Sequence, residues 1–175
     1  YSFKKGTKLG GKYGTKLAAN FSYWGGLDAE YNIENKWYKA KFIGKGHQLF
    51  RDFNLEIKKK WSKKWSSVLT YQNVLVDKGV VEGGPLGNKS ILANIGVLES
   101  TRRFDNGKAL RLVAQHLWSE DDRKNWAAGV IEYNFSTRLA AYAADNWNYG
   151  GTNETHYYSI GGSYSKGNTR LGLNY

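Results

Sequence analysis

The stretch SILANIGVLESTRRFDNGKALRLVAQHLWS, residues 90–119, decides the fold. On both sides of the central Asn106-Gly107 pair, apolar residues recur at every second position. A two-residue period is that of a β-strand whose two faces meet different environments. Asn-Gly favours a tight hairpin turn because both residues tolerate positive φ. The stretch is therefore predicted to be an antiparallel β-hairpin.

The same period recurs along the chain, and the connections between its segments are of two kinds. Short and long connections alternate, as they do in outer-membrane barrels, which have short periplasmic turns and longer outer loops. The predicted fold is all-β: an antiparallel up-and-down transmembrane β-barrel with about ten or more visible strands, incomplete in this chain. One domain is predicted over residues 1–175, truncated at both ends. Tight turns are predicted at 25–28, 62–64, 105–107, 134–137 and 165–168, and longer connections at 44–51, 77–89, 120–124 and 148–154.

Segment 29–43 is predicted to be one strand, with a bulge near Lys36 and Trp37 where the period slips. The last segment, 169–175, follows a tight turn and so runs outward, which predicts that the native chain continues beyond Tyr175.

The amino-acid composition excludes several classes of protein. No stretch approaches the ~18 consecutive apolar residues of a transmembrane helix, which excludes a helical membrane protein. The chain has no cysteine, so disulfides and thiolate sites are excluded. Its formal net charge of +11 favours polyanionic partners such as nucleic acid, anionic lipid or the phosphates of an outer leaflet.

The alternation of apolar and polar residues along each strand predicts which side of the barrel each side chain faces. Tryptophan favours membrane–water interfaces, so an aromatic girdle is predicted at Trp24, Trp61 and Trp65 beside tight turns, and at Trp118, Trp126 and Trp147 beside long loops. The predicted lipid-facing residues are Leu17, Phe21, Phe53, Leu55, Ile57, Ile91, Ile95, Val97, Leu110, Leu112, Ile131 and Tyr133. The predicted lumen residues are Lys39, Lys41, Glu56, Lys58, Arg111, Gln115, Glu132 and Arg138. Such a lumen could attract anions, or its mixed charges could form a network that plugs it; both alternatives stay open.

The segment Ser159-Ile160-Gly161-Gly162-Ser163-Tyr164, followed by a Lys-Gly-Asn turn and Thr169-Arg170-Leu171-Gly172-Leu173-Asn174-Tyr175, resembles the late strands of a functionally uncharacterised outer-membrane β-barrel family of Bacteroidota. The resemblance extends back to about Lys89. It implies a bacterial outer-membrane location and a chain that continues further, and it brings no catalytic residues.

No catalytic residue, metal site or cofactor is predicted. His116 near Ser119 resembles the pair of a barrel phospholipase, but an interfacial histidine is the favoured interpretation. Glu120-Asp121-Asp122 lacks the ligand spacing of a calcium loop and is interpreted as a solvated hairpin tip.

The basic run Lys58-Lys59-Lys60-Trp61-Ser62-Lys63-Lys64-Trp65 has two interpretations. Cations interleaved with aromatic rings suit single-stranded nucleic acid. They also suit a periplasmic hairpin whose lysines reach lipid phosphates while the Trp rings anchor it, and this interpretation is preferred.

The preferred function is that of a non-enzymatic structural or accessory subunit of a larger outer-membrane complex, for secretion or outer-membrane protein assembly. Its expected partners are outer-membrane lipid, lipopolysaccharide and other outer-membrane proteins or lipoproteins, without nucleic acid. The alternatives are a porin-like channel with a basic lumen, a soluble basic β-protein that binds nucleic acid and, last, an envelope lipase.

Overall fold

The protein is an all-β chain in a computed structural model that describes residues 1–26, 28–32, 34–41, 47–83, 89–120 and 124–175. The strands are β1 (Ser2–Phe3), β2 (Thr15–Gly25), β3 (Asp28–Asn32), β4 (Trp37–Lys41), β5 (Gln48–Lys60), β6 (Trp65–Asp77), β7 (Ser90–Arg103), β8 (Ala109–Ser119), β9 (Trp126–Asn134), β10 (Leu139–Asn148), β11 (Thr155–Lys166) and β12 (Thr169–Asn174). A five-residue helix, α1 (Lys78–Glu82), follows β6. No helix in the described part of the chain is long and apolar enough to cross a membrane.

Ten strands form one antiparallel sheet in the order β1-β2-β5-β6-β7-β8-β9-β10-β11-β12. Within the described residues the sheet is not closed, because β1 and β12 each pair with a strand on one side only. The predicted all-β, up-and-down, antiparallel architecture is therefore confirmed.

Strands β3 and β4 form a separate two-stranded sheet, and the main sheet passes directly from β2 to β5. The prediction of one bulged strand over 29–43 is wrong: the slip in period is a hairpin turn, where Lys36 has φ 49°. The turn predicted at 25–28 lies between β2 and β3, but it does not join two paired strands, because β2 pairs with β5. Residue 27 lies outside the described residues.

The corrected connections fall at two edges of the sheet. The edge called here the tight-turn edge holds the connections 61–64, 104–108, 135–138 and 167–168. At the opposite, long-loop edge lie the strand ends that flank 26–47, 78–89, 120–125 and 149–154. Segregation by length thus holds along the meander, although the segment 4–14 between β1 and β2 also lies at the tight-turn edge.

The Asn106-Gly107 turn forms as predicted, with φ values of 61° and 74°. The backbone N–H of Lys108 donates to the carbonyl of Asp105 at 3.4 Å, and Phe104 N–H donates to Lys108 at 2.8 Å. Two successive residues with positive φ match the right-handed twist of the flanking strands, so the turn sets the register of β7 against β8.

The two faces of the sheet differ in exposure. On β8, Val113 is 8% exposed while its neighbour Leu112, which points to the other face, is 44% exposed. Leu98 and Ile131, which flank Leu112 on the same face, are each 50% exposed. Val113 is the single large apolar side chain that is buried in the described part of the chain. The face that carries Val113 is therefore the sheltered side of the sheet.

We predict that Gly107→Ala lowers the free energy of unfolding by about 1–2 kcal/mol, because an L-residue is strained at positive φ. The added Cβ would also lie 2.7 Å from Thr137 Cγ2 in the adjacent tight turn. Urea-induced unfolding followed by circular dichroism measures the change. Gly129→Ala is the control, since Gly129 is in β9 with nothing within 4 Å of a Cβ, and it should leave stability unchanged or slightly raised. Equal losses in both variants would contradict the role of the turn.

Candidate functional site

One face of the ten-stranded sheet, called here the apolar face, carries a continuous set of large apolar side chains. Cross-strand pairs place them in rows: Leu17 opposite Ile57, Ile57 opposite Leu69, and Leu69 opposite Leu98. Among the exposed large apolar residues in the strands of this sheet, Trp24 and Tyr157 alone lie on the other face. The apolar face comprises Leu17, Phe21, Phe53, Leu55, Ile57, Leu69, Leu98, Leu110, Leu112, Ile131, Tyr133, Ile160, Leu171 and Leu173.

Three residues predicted to share this side do not. Ile91, Ile95 and Val97 lie on the opposite face of β7, where Val97 pairs with Gln115. The assignment is wrong because β7 is apolar on both faces, with Leu92 and Leu98 alternating with these three, so that periodicity alone cannot select the side.

The opposite face, called here the polar face, has an ion-pair cluster on its middle strands, near the tight-turn edge. Arg111 donates to Glu99 at 2.7 Å and to Glu132 at 3.4 Å, and so joins β7, β8 and β9. Lys58 pairs with Glu56 at 3.0 Å. Each of these side chains is between about a third and a half exposed. The Arg111 group and the Lys58–Glu56 pair are thus two sets of partly solvated charges on this face.

Most predicted lumen residues lie on the polar face, but not all. Glu56, Lys58, Arg111, Gln115 and Glu132 are brought together there. Lys39 is an exposed residue of β4 in the separate sheet, and Arg138 lies in the turn 135–138, where its carbonyl accepts from Ser165 N–H of β11 at 2.8 Å. The side chain of Lys41 lies outside the part of the chain that is described.

The tryptophans lie near both edges. Trp61 and Trp65 stack at the tight-turn edge with ring centroids 5.5 Å apart, and their indole N–H groups donate to Ser67 and Ser100 at 3.1 and 2.9 Å. Trp118, Trp126 and Trp147 lie near the long-loop edge.

Trp24 was predicted beside a tight turn and is instead at the long-loop edge, opposite Phe50 on β5. Trp24 and Trp126 point to the polar face, whereas Trp65, Trp118 and Trp147 point to the apolar face. The predicted tryptophans therefore do not all lie on one face, as a single aromatic girdle would require.

A cluster of aromatic and histidine rings on the apolar face near the long-loop edge was not predicted. Successive ring centroids lie 3.8–5.6 Å apart. His156 Nδ1 lies 2.8 Å from the Asp145 carboxylate. The cluster contains Trp118, His116, Tyr149, Trp147, His156 and Tyr158. The two-residue spacing of rings within β8 and β11 and at the end of β10 was the signal, but cross-strand register was needed to join them.

His116 of this cluster is not placed beside Ser119. His116 hydrogen-bonds to Tyr149, and Ser119 lies on the opposite side of β8, so the structure does not bring the pair considered for lipase chemistry together. In the described residues, no group of three His, Asp or Glu could hold a metal ion. Asp121 and Asp122 lie outside those residues.

Each edge has a polar contact between connections. At the tight-turn edge Lys64 donates to Asp105 at 2.6 Å, and this hydrogen bond holds the pKa of Asp105 below its usual value. At the long-loop edge the fully buried Asp77 caps α1 by accepting from Gly79 N–H at 2.7 Å, and it also contacts His47. The two contacts tie neighbouring connections together.

Comparison with known proteins gives one family. A family of unknown function, DUF6029, matches the chain over residues 1–175. The chain belongs to this family. No curated protein and no solved structure matches it. Membership in DUF6029 confirms the expected resemblance to an uncharacterised family, and function must be argued from the surfaces described above.

We predict that Arg111→Met lowers the free energy of unfolding by about 1 kcal/mol, because Glu99 and Glu132 lose their shared cation while partly solvated. The triple variant Arg111→Met, Glu99→Gln, Glu132→Gln should recover at least half of that loss, since no charge is left unpaired. Urea-induced unfolding measures both. Gln115→Met, on the same strand and face, is the matched control and should stay within about 0.5 kcal/mol of the parent. A triple variant no more stable than the single one would show that the ion pairs are not the cause.

Proposed function

We propose that this chain is a non-enzymatic outer-membrane β-barrel protein whose apolar face contacts lipid. The observation that carries the proposal is the exposed apolar face, which runs from β2 to β12 without a layer packed on it in the described part of the chain. Soluble monomers rarely expose apolar patches larger than a few hundred Å². Lipid acyl chains are the solvent that such a face fits.

The dimensions of the apolar face support the proposal. From Leu110 to Trp118 the face spans nine residues of β8. This fits the roughly 9–11 residues with which a tilted strand crosses the apolar core of a bilayer. In outer-membrane barrels aromatic rings flank the apolar band at both interfaces. Trp65 at one edge and Trp118 at the other occupy the flanking positions.

The polar face favours a structural or accessory subunit over a channel. A conducting lumen needs side chains that are free to attract ions, whereas Arg111 is held between two carboxylates on this face. We propose that the barrel serves a larger outer-membrane complex for secretion or protein assembly, in Bacteroidota. Its partners are outer-membrane lipid, lipopolysaccharide and other outer-membrane proteins or lipoproteins. A porin-like channel is the second candidate, because the net charge of +11 would attract anions.

The pair Val97 and Leu98 tests which face meets lipid. The chain has no cysteine, so Val97→Cys and Leu98→Cys each give a single labelling site. We predict that a fluorophore at residue 98 in reconstituted vesicles is quenched by brominated lipid, and one at residue 97 by aqueous iodide. The pair Leu112→Cys and Val113→Cys repeats the comparison on β8. If labels on both faces respond to iodide alone, the chain is not in the bilayer.

Conductance separates the two candidates. We predict that the full-length protein carrying this chain forms no stable open channels in planar bilayers, because Arg111, Glu99 and Glu132 form an ion-paired group across three strands of the polar face. The triple variant Arg111→Met, Glu99→Gln, Glu132→Gln is the comparison. It should pass more current than the parent if the cluster closes the lumen. Stable anion-selective openings in the parent protein would favour the porin instead.

A further inference from the structure

A cavity of about 430 Å³ lies at the tight-turn edge, between the N-terminal segment and strands β2, β5 and β6. Lysines from three separate parts of the sequence line it, and no Asp or Glu is among the described residues that do so. Its lysines, which define the lysine pocket, are Lys4, Lys5, Lys16, Lys58, Lys59 and Lys60. Ser2, Ser66 and Ser67 add hydroxyl groups to the lining.

The register of the sheet brings these cations together. Lys16 on β2 lies directly opposite Lys58 on β5, and Lys60 follows two residues later on the same face. Like charges directly opposite each other in an antiparallel pair destabilise it. Lys58 has Glu56 as a partner, but Lys16 and Lys60 make no ion pair with a carboxylate in the described part of the chain. The repulsion is therefore only partly compensated by the protein.

Lys59 anchors the N-terminal segment beside the pocket. The ammonium of Lys59, on the other face of β5, donates to Thr15 Oγ1 at 2.9 Å and to the carbonyls of Leu9 and Gly10 at 3.3 and 3.5 Å. These bonds hold the segment that carries Lys4 and Lys5 against β2 and β5. The N-terminal segment is thus anchored beside the strands that carry Lys16, Lys58 and Lys60.

We propose that the lysine pocket binds a phosphate-bearing anion, with Lys16, Lys58 and Lys60 contributing the charge and Lys4 and Lys5 bordering the opening. Ammonium groups are compact charges that suit phosphate oxygens. An anion between Lys16 and Lys58 also removes their mutual repulsion. The site lies on the polar face, so it goes beyond lipid contact along the apolar face. Both a soluble phosphate ester and an anionic lipid headgroup offer this chemistry.

The test uses Lys16→Gln, Lys60→Gln in one chain, because this variant keeps the Lys58–Glu56 pair and the bonds of Lys59. The full chain in non-ionic detergent is titrated calorimetrically with inorganic phosphate at constant ionic strength, and then with micelles containing phosphatidylglycerol or phosphatidylcholine. The expected result is saturable binding that the variant weakens about tenfold or more. Lys108→Gln, Lys166→Gln removes the same charge at the same edge outside the pocket and should change binding less than twofold.

The source of the phosphate follows from which titration responds. If the pocket variant binds inorganic phosphate more weakly than the parent does, the ligand is a soluble phosphate ester. If the variant loses binding only to phosphatidylglycerol micelles, the ligand is a lipid headgroup. Both results support the pocket. Equal losses in the pocket variant and the control, or no saturable binding in any titration, would overturn it. Without ligand, the pocket variant should unfold at a temperature no lower than the parent, because it has lost a repulsive pair. A lower temperature would also count against the proposal.

Discussion

The cross-strand register of the ten-stranded sheet is the constraint on which the other features depend. Alternate residues of a strand point to opposite faces, so a slip of one residue in any pair would exchange the apolar and polar sets beyond it. The Asn106-Gly107 turn sets β7 against β8, and the hydrogen bond from Trp65 to Ser100 ties β6 to β7. Once these strands are aligned, the Arg111 cluster and the rows of the apolar face follow from sequence order alone.

The apolar face is the more exposed of the two, and its exposed residues include Leu98, Leu112 and Ile131. In a soluble antiparallel sheet the apolar face packs against another layer and the polar face meets solvent. The sheltered face is mixed, because it carries Arg111, Glu99 and Glu132 together with Val97 and the buried Val113. A medium that accepts apolar surface also requires every backbone polar group to pair within the protein, which a continuous meander provides between its edges.

The sequence predicted the strands and the segregation of the connections well, because two-residue periodicity and Asn-Gly turns are local signals. It failed where a local signal had two physical interpretations. The slip near Lys36 could be a bulge or a turn, and the alternating rows of β7 were both apolar, so the side of Ile91, Ile95 and Val97 could not be chosen. The ring cluster around His116 was missed because its members come from separate strands, and only register shows that they are neighbours.

The charge of the protein is distributed unevenly over the polar face, and this difference gives the face two regions. On β7, β8 and β9, one guanidinium lies between two carboxylates, so this group of three carries a net negative charge. On β2 and β5, Lys16 and Lys58 face each other with Glu56 as the one carboxylate paired to either in the described residues. An anion that approaches the polar face therefore meets stronger attraction at β2 and β5 than at β7 to β9. The positive and negative regions of this face are thus separated across the strands, not along them.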